Sequence, residues 1–206
     1  MKKLEYSAGN VSTGFWFNEF QKYNELIKEG LTDKEIRRKQ KEENIFLAPS
    51  VTYGSRKIGK VSQRTKVLPQ ELFDLFFDLD INNKKIINIL GIMMTDRLFF
   101  EYVYEVYRQN IIMGSKEFED SDVRIFFRNK SEQSEKVNNF SESAKKRLAG
   151  AYKTYLKEAN LLVEKDGQLL NNPIILDLDL ETLLKEPEMY PYYKAIQGVE
   201  WNGATR

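Results

Sequence analysis

The sequence predicts a mostly α protein, a compact multi-helix chain with a C-terminal winged-helix-like unit that contains one short β-hairpin. Three observations carry this prediction. Apolar residues recur at three- and four-residue spacing along most of the 206 residues, which is the period of a helix with one buried face. Ser, Thr or Asp stands ahead of most such stretches, where its side chain can accept the unpaired N–H groups of a first helical turn. Only across residues 161–170 does the period shorten to that of a strand, around an Asp166-Gly167 pair suited to a tight hairpin turn.

A first helix is expected from the Ser12-Thr13 pair through Phe15, Trp16, Phe20, Tyr23, Leu26 and Ile27 to a stop at Gly30, with its aromatic face as core. Thr32 or Asp33 then opens a short charged helix to about Glu43, and Pro49-Ser50 introduces a third from about Val51 to Leu68. The dense apolar stretches at 72–77 and 86–93 and the helix restarting at Thr95 or Asp96 are apolar over wide faces, so they read as the buried centre. Asp120 or Ser121 opens the next helix, a shorter one covers Glu132 to Asn138, and a long one follows Ser141 and ends at Ala159, with Asn160 as its left-handed C-terminal residue. The hairpin comes next. Beyond Pro173 an acidic tail packs back through Leu183, Leu184, Tyr190, Tyr192 and Tyr193. The expected division is a basic helical half, residues 1–68, and a second part, residues 69–206, holding the helical core, the winged-helix-like unit and the tail.

Composition removes several chemistries. The chain contains no Cys and no His, so it has no thiolate nucleophile, no imidazole base and no means to build most zinc sites. No catalytic residue, metal site or cofactor is expected. The N-terminal residues lack the apolar run of a signal peptide, and the longest nearly unbroken apolar run, Ile86 to Met94, is nine residues, too short for a bilayer. A cytoplasmic protein without membrane contact is the expectation. Net charge is only +1, yet residues 1–66 carry 14 basic and 8 acidic side chains, and residues 67–140 carry 9 and 13. Basic and acidic regions alternate, and an anionic polymer responds to the local charge.

Two basic faces stand out. On the long helix, Lys153 and Lys157 each fall within roughly 20° of Lys146 at 100° per residue, opposite Leu148, Tyr152, Leu156 and Ala159, and Arg147 lies beside them. On the third helix Arg56, Lys57, Lys60 and Arg64 share one arc, and no acid occurs between Ser50 and Gln70. A short helix, a turn, a long basic helix and a hairpin form the order in which a winged helix-turn-helix places its second helix in the major groove. The alternative for each face is an ordinary solvated or packing helix. One string misleads: residues 54–60 fit G-x-x-x-x-G-K, but Val61 follows where a triphosphate site needs a hydroxyl for magnesium. Grouped acids at Asp78/Asp80, Asp120/Asp122 and Asp177/Asp179/Glu181 could hold magnesium or do acid–base work, but Asp80, Asp120 and Asp179 stand where helices start and are expected to cap them.

Several strings together resemble one known family. Tyr6-Ser-Ala-Gly9, Gly14-Phe15-Trp16, Glu43-Asn44, Thr95-Asp-Arg-Leu-Phe-Phe-Glu101 with Glu105-Val106-Tyr107, Asp120-Ser-Asp122 with Phe126-Phe127, Gln133-Ser-Glu135, and Arg147-Leu148 with Tyr152 and Leu156 are similar, in this order, to the BrxA family. Its members are small accessory components of bacteriophage exclusion (BREX) defence systems, encoded beside a DNA methyltransferase and ATPases. The resemblance implies an all-helical fold with some similarity to the antitermination factor NusB, DNA binding, and no enzymatic activity. The functional expectation is therefore a non-enzymatic DNA-binding component of an anti-phage system. It would grip double-stranded DNA by its phosphate backbone with low sequence specificity, through Lys146, Arg147, Lys153, Lys157, Arg56, Lys57, Lys60 and Arg64, beside other BREX proteins. The rival is a protein–protein adaptor whose basic faces dock on an acidic partner.

Overall fold

A computed structural model describes residues 4–199; Met1–Lys3 and the end of the acidic tail, residues 200–206, lie outside the described residues. Helices α1 (Phe17–Lys28), α2 (Asp33–Glu43) and α3 (Val51–Val67) come first, followed by α4 (Gln70–Leu75) and α5 (Ile81–Thr95). A nearly continuous rod then runs through α6 (Arg97–Tyr102), a π-helical turn at Val103–Tyr107, and α7 (Arg108–Ile112). Next come α8 (Asp120–Gln133), α9 (Glu135–Asn138) and α10 (Glu142–Glu158), the strands β1 (Leu162–Lys165) and β2 (Gln168–Asn171), and finally α11 (Leu178–Leu184) and α12 (Tyr190–Gln197). No helix among the described residues is long and apolar enough to cross a membrane.

Helix α5 is the centre because, Asn88 apart, its second half is apolar on every side: every residue from Ile86 to Met93 is buried, as expected of a helix enclosed on all sides. Helix α3 crosses it at Gly91, where a Cβ would come within 2.8 Å of the Arg64 Cβ; the glycine is there to let the two backbones meet. On the far side of α3, Tyr23 of α1 donates to the Asp33 carboxylate (2.8 Å), and its hydroxyl also lies in hydrogen-bond contact with that of Ser62 (3.1 Å). A second aromatic core joins the rod to α8 and α10, with Tyr152 packed 5.0 Å from Phe99 and 5.2 Å from Tyr102 between ring centroids.

The hairpin forms where expected. Asp166 and Gly167 both have positive φ (53° and 77°), the pair of left-handed residues that a two-residue turn requires. The extended residues 116–118 run antiparallel along the other edge of β2, with Phe118 N–H donating to Leu169 O and Asn171 N–H to Lys116 O, both at 2.8 Å. An extended segment, α8, α9, α10 and the hairpin thus form one unit, and Asn160 closes α10 with φ 60°.

Three local expectations are corrected. The first helix does not begin at Ser12-Thr13: it starts at Phe17 after Trp16, which is left-handed (φ 48°). The cause is tertiary, since the Gly14 and Phe15 carbonyls are taken by Arg64 and Asn88 and cannot enter a helix. Asp120 caps nothing; it lies inside the first turn of α8 and binds Lys153. Asp177, not Asp179, caps α11, whereas Asp80 caps α5 as expected. Residues 54–60 lie wholly within α3, with Gly54 against Gln40, so the phosphate-loop lookalike is a stretch of helix and not a loop.

Candidate nucleic-acid interface

On α10 the separation of core from charge is realised in three dimensions. Leu148, Tyr152, Tyr155 and Leu156 are completely buried and Ala159 nearly so. Lys146 and Arg147 are exposed and make no ion pair among the described residues. The other two cations are held by acids. Lys153 lies 2.7 Å from Asp120 at the start of α8, and Lys157 lies 2.6 Å from Glu164 on β1. Both acids are largely exposed, and such pairs are worth only about 0–1 kcal/mol, so a phosphate could displace either.

The α3 strip is not the outward arc that the helical wheel draws. Arg64 is 3% exposed; its guanidinium donates to the Phe15 carbonyl, to Gly14 O (2.9 Å) and to Asn88 Oδ1 (3.2 Å). Burial lowers its pKa to about 10. Lys57 is also buried and paired with Glu19. These two cations are structural, because α3 packs against α1, α2 and α5 and little of its surface faces water. Lys60 is half-buried, donates to Asn10 (3.2 Å), and is pulled below its ordinary pKa by burial and by the Arg64 charge. Arg56 alone of the four is exposed. Its guanidinium lies 5.0 Å from the Tyr53 ring centroid and 5.9 Å from that of Trp16 and donates to Ser12 O.

Trp16 connects the two basic elements: besides flanking Arg56 it lines a cleft of about 560 Å³ together with Lys85 and Lys157. Sequence reasoning missed a second feature. A groove of about 800 Å³ runs between α8 and α10, bordered by Arg124 and Arg128 on one side and by Lys145, Lys146 and Lys153 on the other. Arg124 and Arg128 are four residues apart, hence on one helical face, and that spacing was the available signal. The acidic surplus of residues 67–140 concealed it.

Part of the strings that carry the family resemblance, Tyr6, Asp96, Arg97, Glu101 and Tyr152, forms a largely buried latch. Glu101 accepts from Tyr6 Oη (2.8 Å), Arg97 (2.7 Å) and Lys130 (2.7 Å). Burial alone would raise Glu101, but these hydrogen bonds outweigh it and hold the carboxyl below its ordinary value. Asp96, 7% exposed, accepts from Asn10 Nδ2 (2.6 Å), Tyr152 Oη (3.1 Å) and the Phe99 N–H (3.1 Å). The two carboxylates clamp the N-terminal loop onto α6, α8 and α10.

The BrxA family model matches residues 4–188. A protein of Bacillus cereus (strain H3081.97) described as "BREX protein BrxA" is 31% identical over 180 residues, which covers 87% of this chain and 90% of that one. The crystal structure of an uncharacterized protein from Magnetospirillum magneticum has the same fold, with a TM-score of 0.77 at 14% identity, over 95% of this chain and 100% of that one.

Proposed function

Because the chain belongs to the BrxA family, components of BREX phage defence, we propose that it serves that defence as a non-enzymatic protein gripping duplex DNA by its phosphates. The observation that carries this reading is the outer face of α10: Lys146 and Arg147 exposed with no ion pair among the described residues, Lys153 and Lys157 in weak surface pairs, and a hydrogen-bonded hairpin next in the chain. An extended segment, two helices, a longer helix and a hairpin follow in the order of a winged helix-turn-helix, whose last helix enters the major groove while the hairpin approaches the backbone. Arg56, across the Trp16 cleft from Lys157, extends the contact. Lys57 and Arg64 take no part, since both are committed inside the fold. Sequence preference is weak, because lysine is a point charge that gives little bidentate readout of bases.

The test is a titration of random-sequence duplex by fluorescence anisotropy over a salt series. With about five phosphates neutralised, the slope of log K against log salt is expected near −4.5. Absence of binding by the folded protein at about 50 mM salt would overturn the reading.

A further inference from the structure

The groove between α8 and α10 has a composition that phosphate contact does not explain. Its borders carry five cations and two acids, Glu142 and Asp120, which pair with Lys145 and Lys153 and leave Arg124, Arg128 and Lys146 in excess, while Val123, Phe127 and Ala149 give it an apolar floor. Gly150 opens it further. Glycine inside a helix costs stability, and nothing lies within 4 Å of where its Cβ would stand, so packing within this chain does not require it. Along the borders, Arg128 and Lys146 are exposed and make no ion pair among the described residues. Arg124 makes no ion pair among the described residues either, and Asp120, one turn before it, is bound to Lys153. A DNA backbone would satisfy the cations and leave the floor unused. A segment with exposed apolar side chains set among carboxylates would use both.

The chain displays such a segment itself. Residues 174–188 hold five acids and one lysine. Ile175 is 95% exposed and Leu178 75%; Asp179, Glu186 and Glu188 are exposed and make no ion pair among the described residues. This segment cannot reach the groove of its own chain. Leu176, Leu180 and Leu184 anchor it in the core, and the Asp177 N–H donates to Asn83 (3.0 Å). We infer that the α8/α10 groove receives the acidic 174–188 segment of a second copy of this chain, Ile175 and Leu178 meeting its floor and the free acids meeting Arg124, Arg128 and Lys146. The contact is small and charge-driven, so it is a weak association that salt screens. It does not depend on the DNA reading.

Sedimentation equilibrium of the intact protein, up to about 200 μM, tests it. At about 50 mM salt the average mass should exceed the 24.2 kDa of one chain, and the association constant should fall at least about tenfold at 500 mM. Arg124→Glu/Arg128→Glu and Ile175→Ser/Leu178→Ser should each weaken association at least tenfold, with circular dichroism unchanged because all four side chains are exposed. Asp179→Lys/Glu186→Lys should do the same, whereas mixing it with Arg124→Glu/Arg128→Glu should restore association, since each chain then supplies what the other lacks. A single-chain mass at every concentration, groove variants that associate like the parent, or a mixture no better than its components would each overturn the inference.

Discussion

Replacing Lys146, Lys153 and Lys157 together by Ala separates binding from folding on α10. Each phosphate contact contributes about 0.9 to the salt slope, so the loss of three should lower its magnitude from about 4.5 to about 1.8. Between 50 and 200 mM salt the parent should then lose roughly 500-fold in affinity and the variant only about 12-fold. The cost in stability is bounded by geometry. Lys146 has no ion pair among the described residues, and the Lys153–Asp120 and Lys157–Glu164 pairs sit at the surface, at about 0–1 kcal/mol each. Leu156→Ala should behave in the opposite way: that side chain is fully buried, and its truncation should cost about 2–5 kcal/mol while leaving the slope of the folded fraction intact. Anisotropy titrations paired with urea melts read both quantities. A triple variant that keeps the parent slope refutes the α10 assignment and moves the interface to the Arg56 side.

Two further predictions concern the polar interior. Asp96→Ala strands the Asn10 amide, the Tyr152 hydroxyl and the Phe99 N–H, so it should cost more than about 3 kcal/mol in urea unfolding; Asp96→Asn, which keeps an oxygen acceptor, should cost clearly less, and equal losses would show that these hydrogen bonds are not what matters. At Asp33, burial pulls the pKa upward, but hydrogen bonds from Arg37, Ser62 and Tyr23 and the Arg37 charge outweigh it and hold the pKa at about 2. A depressed folded pKa gives stability that is present above the unfolded value near 4 and lost as pH falls through 2. The stability gap between the parent and Asp33→Asn should therefore be flat from pH 7 to about 4 and shrink between 4 and 2. A gap unchanged across that window would show that the carboxylate charge contributes nothing.

Much of the fold is legible in the sequence because it is set locally. The periodicity of α10, the Ser50 and Thr32 caps, Asn160 and the Asp166-Gly167 turn all take the conformation their own chemistry favours. What the sequence hides is set by partners far along the chain. Trp16 is left-handed because Arg64, 48 positions later, holds the carbonyls just before it. A helical wheel places a cation on an arc but cannot say whether another helix covers that arc, and this is why Arg56 and Arg64, on one face of α3, end in water and in the core respectively. Likewise Lys153 reads as free until α8 brings Asp120 to it, 33 residues away.

The position of the family strings bears on what family membership can say about DNA contact. Tyr6, Asp96, Arg97, Glu101 and Tyr152 belong to them, and all five meet in the latch that fixes the N-terminal loop to the rod and to α10. Their geometry is demanding, since a buried carboxylate needs each of its donors within about 3 Å; a change at one member leaves another unpaired. Phosphate contact demands far less. It depends on how many cations one face presents and only loosely on which positions carry them. A scaffold of this kind can therefore keep its latch while its basic residues move from one turn of α10 to the next or across to α8. Resemblance then identifies the fold and the defence system, whereas the proposed phosphate contacts rest on this chain's own surface, where Lys146 and Arg147 are exposed and Lys57 and Arg64 are buried.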